Sequence, residues 1–212
     1  LTTRAFRTKV VEVAVRGQAF RLTAVHDPAE LLDGLTEEEF RKAEERIPYW
    51  GELWPGALGI AQTILDGPPL HGKRCLEIGC GLGLAGIAAA RHGARVHLTD
   101  AEPASVEFAL ENARANDVAV TGGLLDWRAP EGGPYDLILG ADLLYERRNL
   151  EPIAALLDRL LAPGGRALLT DPRRTPARDF PLVLGERGLR VEVSTLDPGG
   201  GLPLLHLYEV RR

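Results

Sequence analysis

Residues 76–83 read Leu-Glu-Ile-Gly-Cys-Gly-Leu-Gly, an acid inside an apolar run followed by glycines at alternate positions. An apolar segment, Leu84 to Ala90, comes directly after, and a second acid, Asp100, closes the next strand-like run. This is the pattern of a strand, a tight loop and a helix built around a nucleoside. Side chains at Gly79, Gly81 and Gly83 would block the approach of backbone to ligand. A carboxylate at the end of the second strand suits a ribose diol. The glycines alone leave two chemistries open, because Gly81-Leu-Gly-Leu-Ala-Gly86 also fits the dinucleotide fingerprint, with Asp100 at a plausible distance. Glu77 separates them. A carboxylate beside the loop repels a pyrophosphate and suits a ligand carrying an ammonium and a sulfonium, as S-adenosylmethionine does.

Ligands in doubly wound sheets sit beyond the carboxyl ends of the strands, so the other strand ends come next. Asp126-Trp127 follows the third, an acceptor for an adenine amino group beside an aromatic face; a strand-end acid with a half-buried Trp is the alternative. The fourth ends Gly140-Ala-Asp142-Leu-Leu-Tyr145. An Asp and a Tyr three residues apart can hold an amine, through a carboxylate and an aromatic face with a hydroxyl; Asp142 could equally cap the next turn with Tyr145 packed over it. Asp171-Pro-Arg-Arg174 ends the fifth strand and either closes the site or turns the chain. Tyr49-Trp-Gly-Glu-Leu-Trp54-Pro-Gly56 is too irregular for one helix face and reads as a lid or wall, or as an anchor for the N-terminal segment.

These residues need elements to position them. From residue 73 strand and helix patterns alternate, which calls for a parallel sheet. Strands are expected at 74–79, 95–99, 119–124, 135–141, 165–170, 189–195 and 203–210, with helices at 83–92, 103–116, 149–161 and 176–187. The last two strands meet across Asp197-Pro-Gly-Gly-Gly201 with no room for a helix, so they must pair antiparallel, inserted into the sheet or added to it. The fold class is therefore α/β: a Rossmann-like, mostly parallel seven-stranded sheet with an antiparallel C-terminal hairpin and helices on both faces. Ahead of it, Thr8–Val15 and Ala19–Val25 predict a β-hairpin. Thr36 with Glu39 makes a capping box for a helix ended by Pro48, and Ala57 to Leu65 carries the apolar stripe of another. Residues 1–48 are thus expected as an extension and 49–212 as the main domain.

The bulk numbers bound the function. A chain of 212 residues that is 45% hydrophobic can bury one sizeable α/β core. A net charge of −5 argues against an electrostatic grip on nucleic acid. No apolar run approaches the roughly 18–20 residues that cross a bilayer, and the first residues show no signal peptide. Cys75 and Cys80 lie about 17 Å apart along an extended chain, too far for a disulfide. The five histidines are scattered, so no metal site is expected. A cytoplasmic monomer is the expectation. An excess of Arg over Lys with abundant Pro, Gly, Leu and Ala suggests a GC-rich bacterial genome.

From about residue 45 to 185 the chain resembles the seven-strand S-adenosylmethionine-dependent methyltransferases of the family-16 lysine type. The Glu-x-Gly-x-Gly-x-Gly loop is shared across the superfamily; Asp142-x-x-Tyr145 marks the protein lysine methyltransferase branch. Pro48 to Gly56 and Thr170 to Pro176 look most like enzymes that methylate the β-subunit of electron transfer flavoprotein. The resemblance implies cofactor contacts at Trp54, Glu77, Gly79, Asp100, Asp126 and Trp127, with Cys80, Gly81, Gly83, Ala101 and Ala141 beside them. It implies Asp142 and Tyr145 at the target lysine and a protein acceptor, electron transfer flavoprotein β-subunit first and a ribosomal protein second. A small-molecule N- or O-methyltransferase, an oxidoreductase and a non-catalytic nucleoside-binding module are the competing readings.

Overall fold

A computed structural model describes residues 6–27 and 49–212. The capping-box helix expected from Thr36 to Ile47 lies outside the described residues. Two strands open the chain, β1 (Thr8–Val15) and β2 (Gln18–Val25), paired antiparallel from Thr8↔Val25 to Val15↔Gln18. Their turn is Arg16-Gly17, with φ of 50° and 76°. Both turn residues are left-handed, the geometry that matches the twist of a two-residue hairpin. Phe20, Leu22 and Ala24 alternate inward and are buried.

The main sheet follows: α1 (Pro55–Asp66), β3 (Arg74–Ile78), α2 (Leu84–Arg91), β4 (Arg95–Asp100), α3 (Pro103–Ala115), β5 (Thr121–Leu124) and β6 (Tyr135–Ala141). It continues with α4 (Arg147–Leu160), β7 (Leu161–Asp171), α5 (Phe180–Glu186), β8 (Arg190–Leu196) and β9 (Leu205–Arg211). The strand order is β5-β4-β3-β6-β7-β9-β8. Strands β5, β4, β3, β6 and β7 are parallel, while β9 runs antiparallel to both β7 and β8. The terminal hairpin is therefore inserted, with β9 slotted between β7 and β8. The order reverses between β3 and β6, and their carboxyl ends define the crevice.

Several boundaries differ from expectation. The predicted helix at 176–187 is a 3-10 turn, Pro176–Asp179, followed by a shorter α5. The strand expected from 165 begins at Leu161, which pairs with Tyr135 before the register jumps to Leu137↔Arg166. Ala162 to Gly165 are looped out there, so the Pro-Gly-Gly signal marks an excursion within the strand.

The core is two-sided. Ile60, Ile64, Ala85, Ala89 and Ala109 of α1, α2 and α3 pack on one face of the sheet. Ile153, Leu156, Leu157, Leu160 and Phe180 of α4 and α5 pack on the other. The N-terminal hairpin rests outside α1, α2 and α3 through Val15, Phe20 and Leu22. Asn112 on α3 and Asn116 at its C-terminal cap, one turn apart, dock the edge of the hairpin. Asn112 Oδ1 accepts the N–H of Thr23 at 2.7 Å and its Nδ2 donates to the Thr23 carbonyl at 3.1 Å. Asn116 does the same for Arg21, at 3.0 and 2.7 Å. Two side-chain amides thus stand in for a neighbouring strand. Among the described residues no helix is long and apolar enough to cross a membrane.

Candidate active site

The glycine loop begins where β3 ends. Gly79, Gly81 and Gly83 all take left-handed backbone, with φ of 58°, 51° and 81°. That conformation, costly for a residue with a Cβ, favours glycine here. It is a stronger reason than the open approach to a ligand. Gly86, on the first turn of α2, has another: a Cβ there would lie 2.4 Å from Leu98 Cδ2 and 2.5 Å from Glu77 Oε2. Its absence lets the helix sit on the sheet with an acid tucked beneath it.

That acid corrects one expectation. Glu77 is not on the cavity wall; it is buried, and its Oε2 accepts the Gly86 N–H at 2.8 Å. Burial pushes its carboxyl up to about 8, with the Gly86 N–H opposing the shift and the charge of Asp100 adding to it. Glu77 holds the base of α2 from below, and the direct ligand contact inferred from its charge is not offered by this geometry.

The other predicted residues share one cavity of about 1020 Å³. Trp54, Gly79, Cys80, Gly81, Gly83 and Asp100 line it, as do Ala101, Asp126, Trp127, Ala141, Asp142 and Tyr145. Asp100 is tied in tightly. Its Oδ2 accepts from Gly81 N at 3.1 Å and from Ser105 Oγ at 2.7 Å, and its Oδ1 accepts from Glu102 N at 3.1 Å. Burial raises its carboxyl and these donors pull it back. One carboxylate therefore fixes the loop as well as facing the cavity. Asp126, after β5, chelates the Arg128 guanidinium with both oxygens at 2.9 and 2.7 Å. Trp127 stands beside Gly79, where a Cβ would meet its ring at 3.4 Å.

The opposite end is aromatic and acidic. Tyr49 packs edge-on against Trp54 at 5.5 Å and against Tyr145 at 5.8 Å, and Trp54 Nε1 donates to the Tyr49 carbonyl at 2.8 Å. Trp50 has a second task besides lining the cavity. It is buried against Phe6 and Phe108 at 5.5 and 5.2 Å and anchors the N-terminal segment. The aromatic cluster read from sequence thus lines the cavity throughout, with Trp50 also serving as the anchor. Asp142 is largely buried and holds φ of 60°, an uncommon conformation for a non-glycine residue. Its Oδ2 accepts the N–H of Gly56 at 2.7 Å and its Oδ1 faces Arg174 Nη1 at 3.2 Å. Burial raises its carboxyl while Arg174 and Gly56 lower it. Burial also holds the Tyr145 phenol above its ordinary range, so it is neutral at physiological pH.

Gly56, Arg174, Ser105 and Glu52 were not picked out from sequence as site residues. Glu52 and Gly56 lay in the segment read as a lid or wall without being singled out, and Arg174 lay in a turn with two open readings.

The wall carries six carboxylates, of Glu52, Asp100, Glu102, Asp126, Asp142 and Glu146, against three guanidiniums, of Arg128, Arg148 and Arg174. That surplus disfavours a pyrophosphate and accommodates a cationic nucleoside. The left-handed loop, Asp100, Asp126 and Trp127 fit S-adenosylmethionine, and the acid excess takes over the argument that Glu77 no longer carries.

A parallel sheet of this order with an inserted antiparallel strand and this loop is the fold of the class I methyltransferases. A family model described as lysine methyltransferase matches residues 51–180, and the chain belongs to that family. The chain is 32% identical over 144 residues to the electron transfer flavoprotein β-subunit lysine methyltransferase of Xenopus laevis, covering 64% of this chain and 57% of that protein. It is 37% identical over 137 residues to a protein N-lysine methyltransferase of Danio rerio, covering 59% and 62%. The chain thus spans about three fifths of the length of these relatives. Both are vertebrate proteins, which lends a bacterial source no support. Among solved structures, a 16S rRNA N2 methyltransferase of T. thermophilus in complex with AdoMet and guanosine superposes with a TM-score of 0.66 at 17% identity. It covers 97% of this chain and 51% of that one, a likeness of fold.

Proposed function

We propose that this protein transfers a methyl group from S-adenosylmethionine to the ε-amine of a lysine in a folded cytoplasmic protein. The electron transfer flavoprotein β-subunit is the first candidate acceptor and a ribosomal protein the second. The observation that carries this reading is the end of the cavity at Asp142, where a buried carboxylate is walled by Tyr49, Trp54 and Tyr145. Aromatic faces shelter the methylenes of a long aliphatic side chain, and the carboxylate orients the nitrogen at its tip. The relatives' names and the family support a lysine as that side chain.

When bound, S-adenosylmethionine supplies a methyl group on a sulfonium, which the amine lone pair takes as the carbon–sulfur bond breaks. The chain's own residues prepare the encounter. Gly79, Gly81, Gly83, Asp100, Asp126 and Trp127 hold the nucleoside. The aromatic wall excludes water, and Asp142 fixes the angle of approach; alignment of this kind supplies much of the acceleration in two-body reactions. A free lysine has a pKa of about 10.4, so it must shed a proton before it can attack. Asp142 is an orienting group, because a carboxylate alone favours the charged amine.

The test is intact-mass analysis of purified electron transfer flavoprotein β-subunit and of ribosomal proteins after incubation with the chain and S-adenosylmethionine. A methyl gain mapped to one lysine is expected. Efficient methylation of a free metabolite, with intact proteins untouched, overturns the protein-substrate reading.

A further inference from the structure

The turn after β7 places a cation at the acceptor end. Asp171 Oδ1 accepts the N–H of Arg174 at 2.6 Å, closing the turn. Arg173, with φ of 62°, sends its guanidinium to Thr195 Oγ1 at 3.0 Å. Arg174 goes the other way, onto the cavity wall. Its Nη1 lies 3.2 Å from Asp142 Oδ1 and 3.1 Å from Asp171 Oδ2, and its guanidinium sits 5.8 Å from the Trp54 ring. Asp171 is fully buried and Asp142 nearly so, while the Arg174 side chain keeps 27% of its surface exposed.

This arrangement alters what Asp142 can do. Both of its oxygens already have a donor, one from backbone and one from a permanent charge. Two acids and one guanidinium leave a local charge of −1, with the positive centre on the side of Asp142 that faces Trp54. His206 of β9 is the register partner of Asp171 and acts favourably on its charge. Tyr208 stays a neutral phenol beside Asp171. Glu52 and Glu146 complete the charged wall. An arriving ammonium meets a position where a cation already resides, whereas a neutral amine meets a carboxylate with lone pairs to spare and no like charge to displace.

We infer that Arg174 is a specificity-determining residue at the acceptor end, offsetting part of the negative charge around Asp142 so that the preference for the ammonium over the free-base amine is weakened. This rests on the lysine reading above. The proton leaves the ammonium for water before attack, and Arg174 biases the bound amine toward that deprotonated form without taking the proton itself. Removing its charge strengthens the grip on the cation and weakens the nucleophile.

The test measures binding of n-butylammonium, with n-pentanol as the neutral control, to protein saturated with S-adenosylhomocysteine at neutral pH. Arg174→Gln is expected to bind n-butylammonium about tenfold more tightly than wild type, because a like charge a few ångströms away has gone. Pentanol should change by less than about twofold, within the spread of an uncharged contact. Arg174→Lys should stay with wild type. The double variant Asp171→Asn with Arg174→Gln keeps the local charge at −1 and is measured alongside, with a smaller gain expected because only the guanidinium beside Asp142 has gone. In the methylation assay, Arg174→Gln should lower the acceptor KM and lower kcat together, a split that a merely structural role does not produce. Unchanged n-butylammonium affinity in both neutral variants overturns the inference. A wild-type protein that methylates no lysine at all overturns the functional reading instead, and leaves the ammonium measurement standing.

Discussion

Asp142 caps a helix from the loop after β6: its Oδ2 accepts the backbone N–H of Gly56 at 2.7 Å, across 86 residues of sequence. Gly56 is in the first turn of α1, where backbone N–H groups lack partners within the helix and favour a negative charge. Trp54, immediately before, brings its ring to the cavity. The strand that ends beside Asp142 and the helix that Trp54 precedes are thereby locked to one another through a single carboxylate.

Gly56→Ala sets helix propensity against sterics. In an exposed helix the change stabilises by up to about 1 kcal/mol. Here the new Cβ would lie 2.2 Å from Asp142 Oδ2 and 2.6 Å from Thr170 Oγ1, both buried. Sterics win. Denaturant melts should show a loss of about 1–3 kcal/mol, the usual cost of overpacking, and methyl transfer should fall sharply because Asp142 is pushed away. Unaltered stability and turnover would show that the contact is soft.

Asp100→Ala should weaken S-adenosylhomocysteine binding by about ten- to a hundredfold, measured by calorimetry, as charge-assisted hydrogen bonds are worth roughly 1.5–3 kcal/mol. The structure adds a second cause, since Gly81 N, Ser105 Oγ and Glu102 N all lose their acceptor. Asp100→Asn keeps one oxygen and should fall between the two. Tight binding of NADH by the wild type, with no heat from S-adenosylhomocysteine, would sink the nucleoside assignment.

Glu77 gives a stability prediction with a definite sign. Its carboxyl sits near 8 in the fold against an ordinary 4.5. A group raised in this way contributes stability that is complete below about pH 4.5 and is lost as pH rises through about 8. Glu77→Gln keeps an oxygen for Gly86 N and removes the titration. The variant should match wild type at pH 5 and melt higher at pH 8, by roughly 3–12 °C if about 1.5–3 kcal/mol is recovered. A constant difference between the two pH values would be evidence against burial as the cause.

The order of strands and helices was legible because its signals are local: apolar periodicity and turns such as Asp197 to Gly201 lie within a few residues. Whether the final hairpin was inserted or added was not, since β9 pairs with β7 across 35 residues or more. The site followed the same division. Strand-end positions placed Asp100, Asp126, Asp142 and Tyr145 on one cavity wall. Glu77 also lay on a strand, but the missing Cβ of Gly86 turns its side chain under the helix, and that depends on packing between two elements. Asn112 and Asn116 escaped notice because a helix read for its apolar stripe gives no hint of a strand edge waiting for its amides. Arg174 was hidden by its neighbour, because two successive arginines look alike until the backbone of the turn sends one outward and one in.

Asp142→Asn separates the acceptor side of the site from the donor side. The amide oxygen can still take the Gly56 N–H, so α1 stays capped and Trp54 stays in place. The amide nitrogen then faces the Arg174 guanidinium, donor against donor, and the charge that orients the amine is gone. S-adenosylhomocysteine affinity should therefore remain within about threefold of wild type, as the lost contact lies away from the nucleoside. Turnover should drop by at least about a hundredfold, the cost of an interaction made at the reacting amine. Calorimetry and single-turnover kinetics on the same preparation give both numbers. Equal losses in affinity and turnover would move Asp142 into the donor site and undo its assignment to the acceptor.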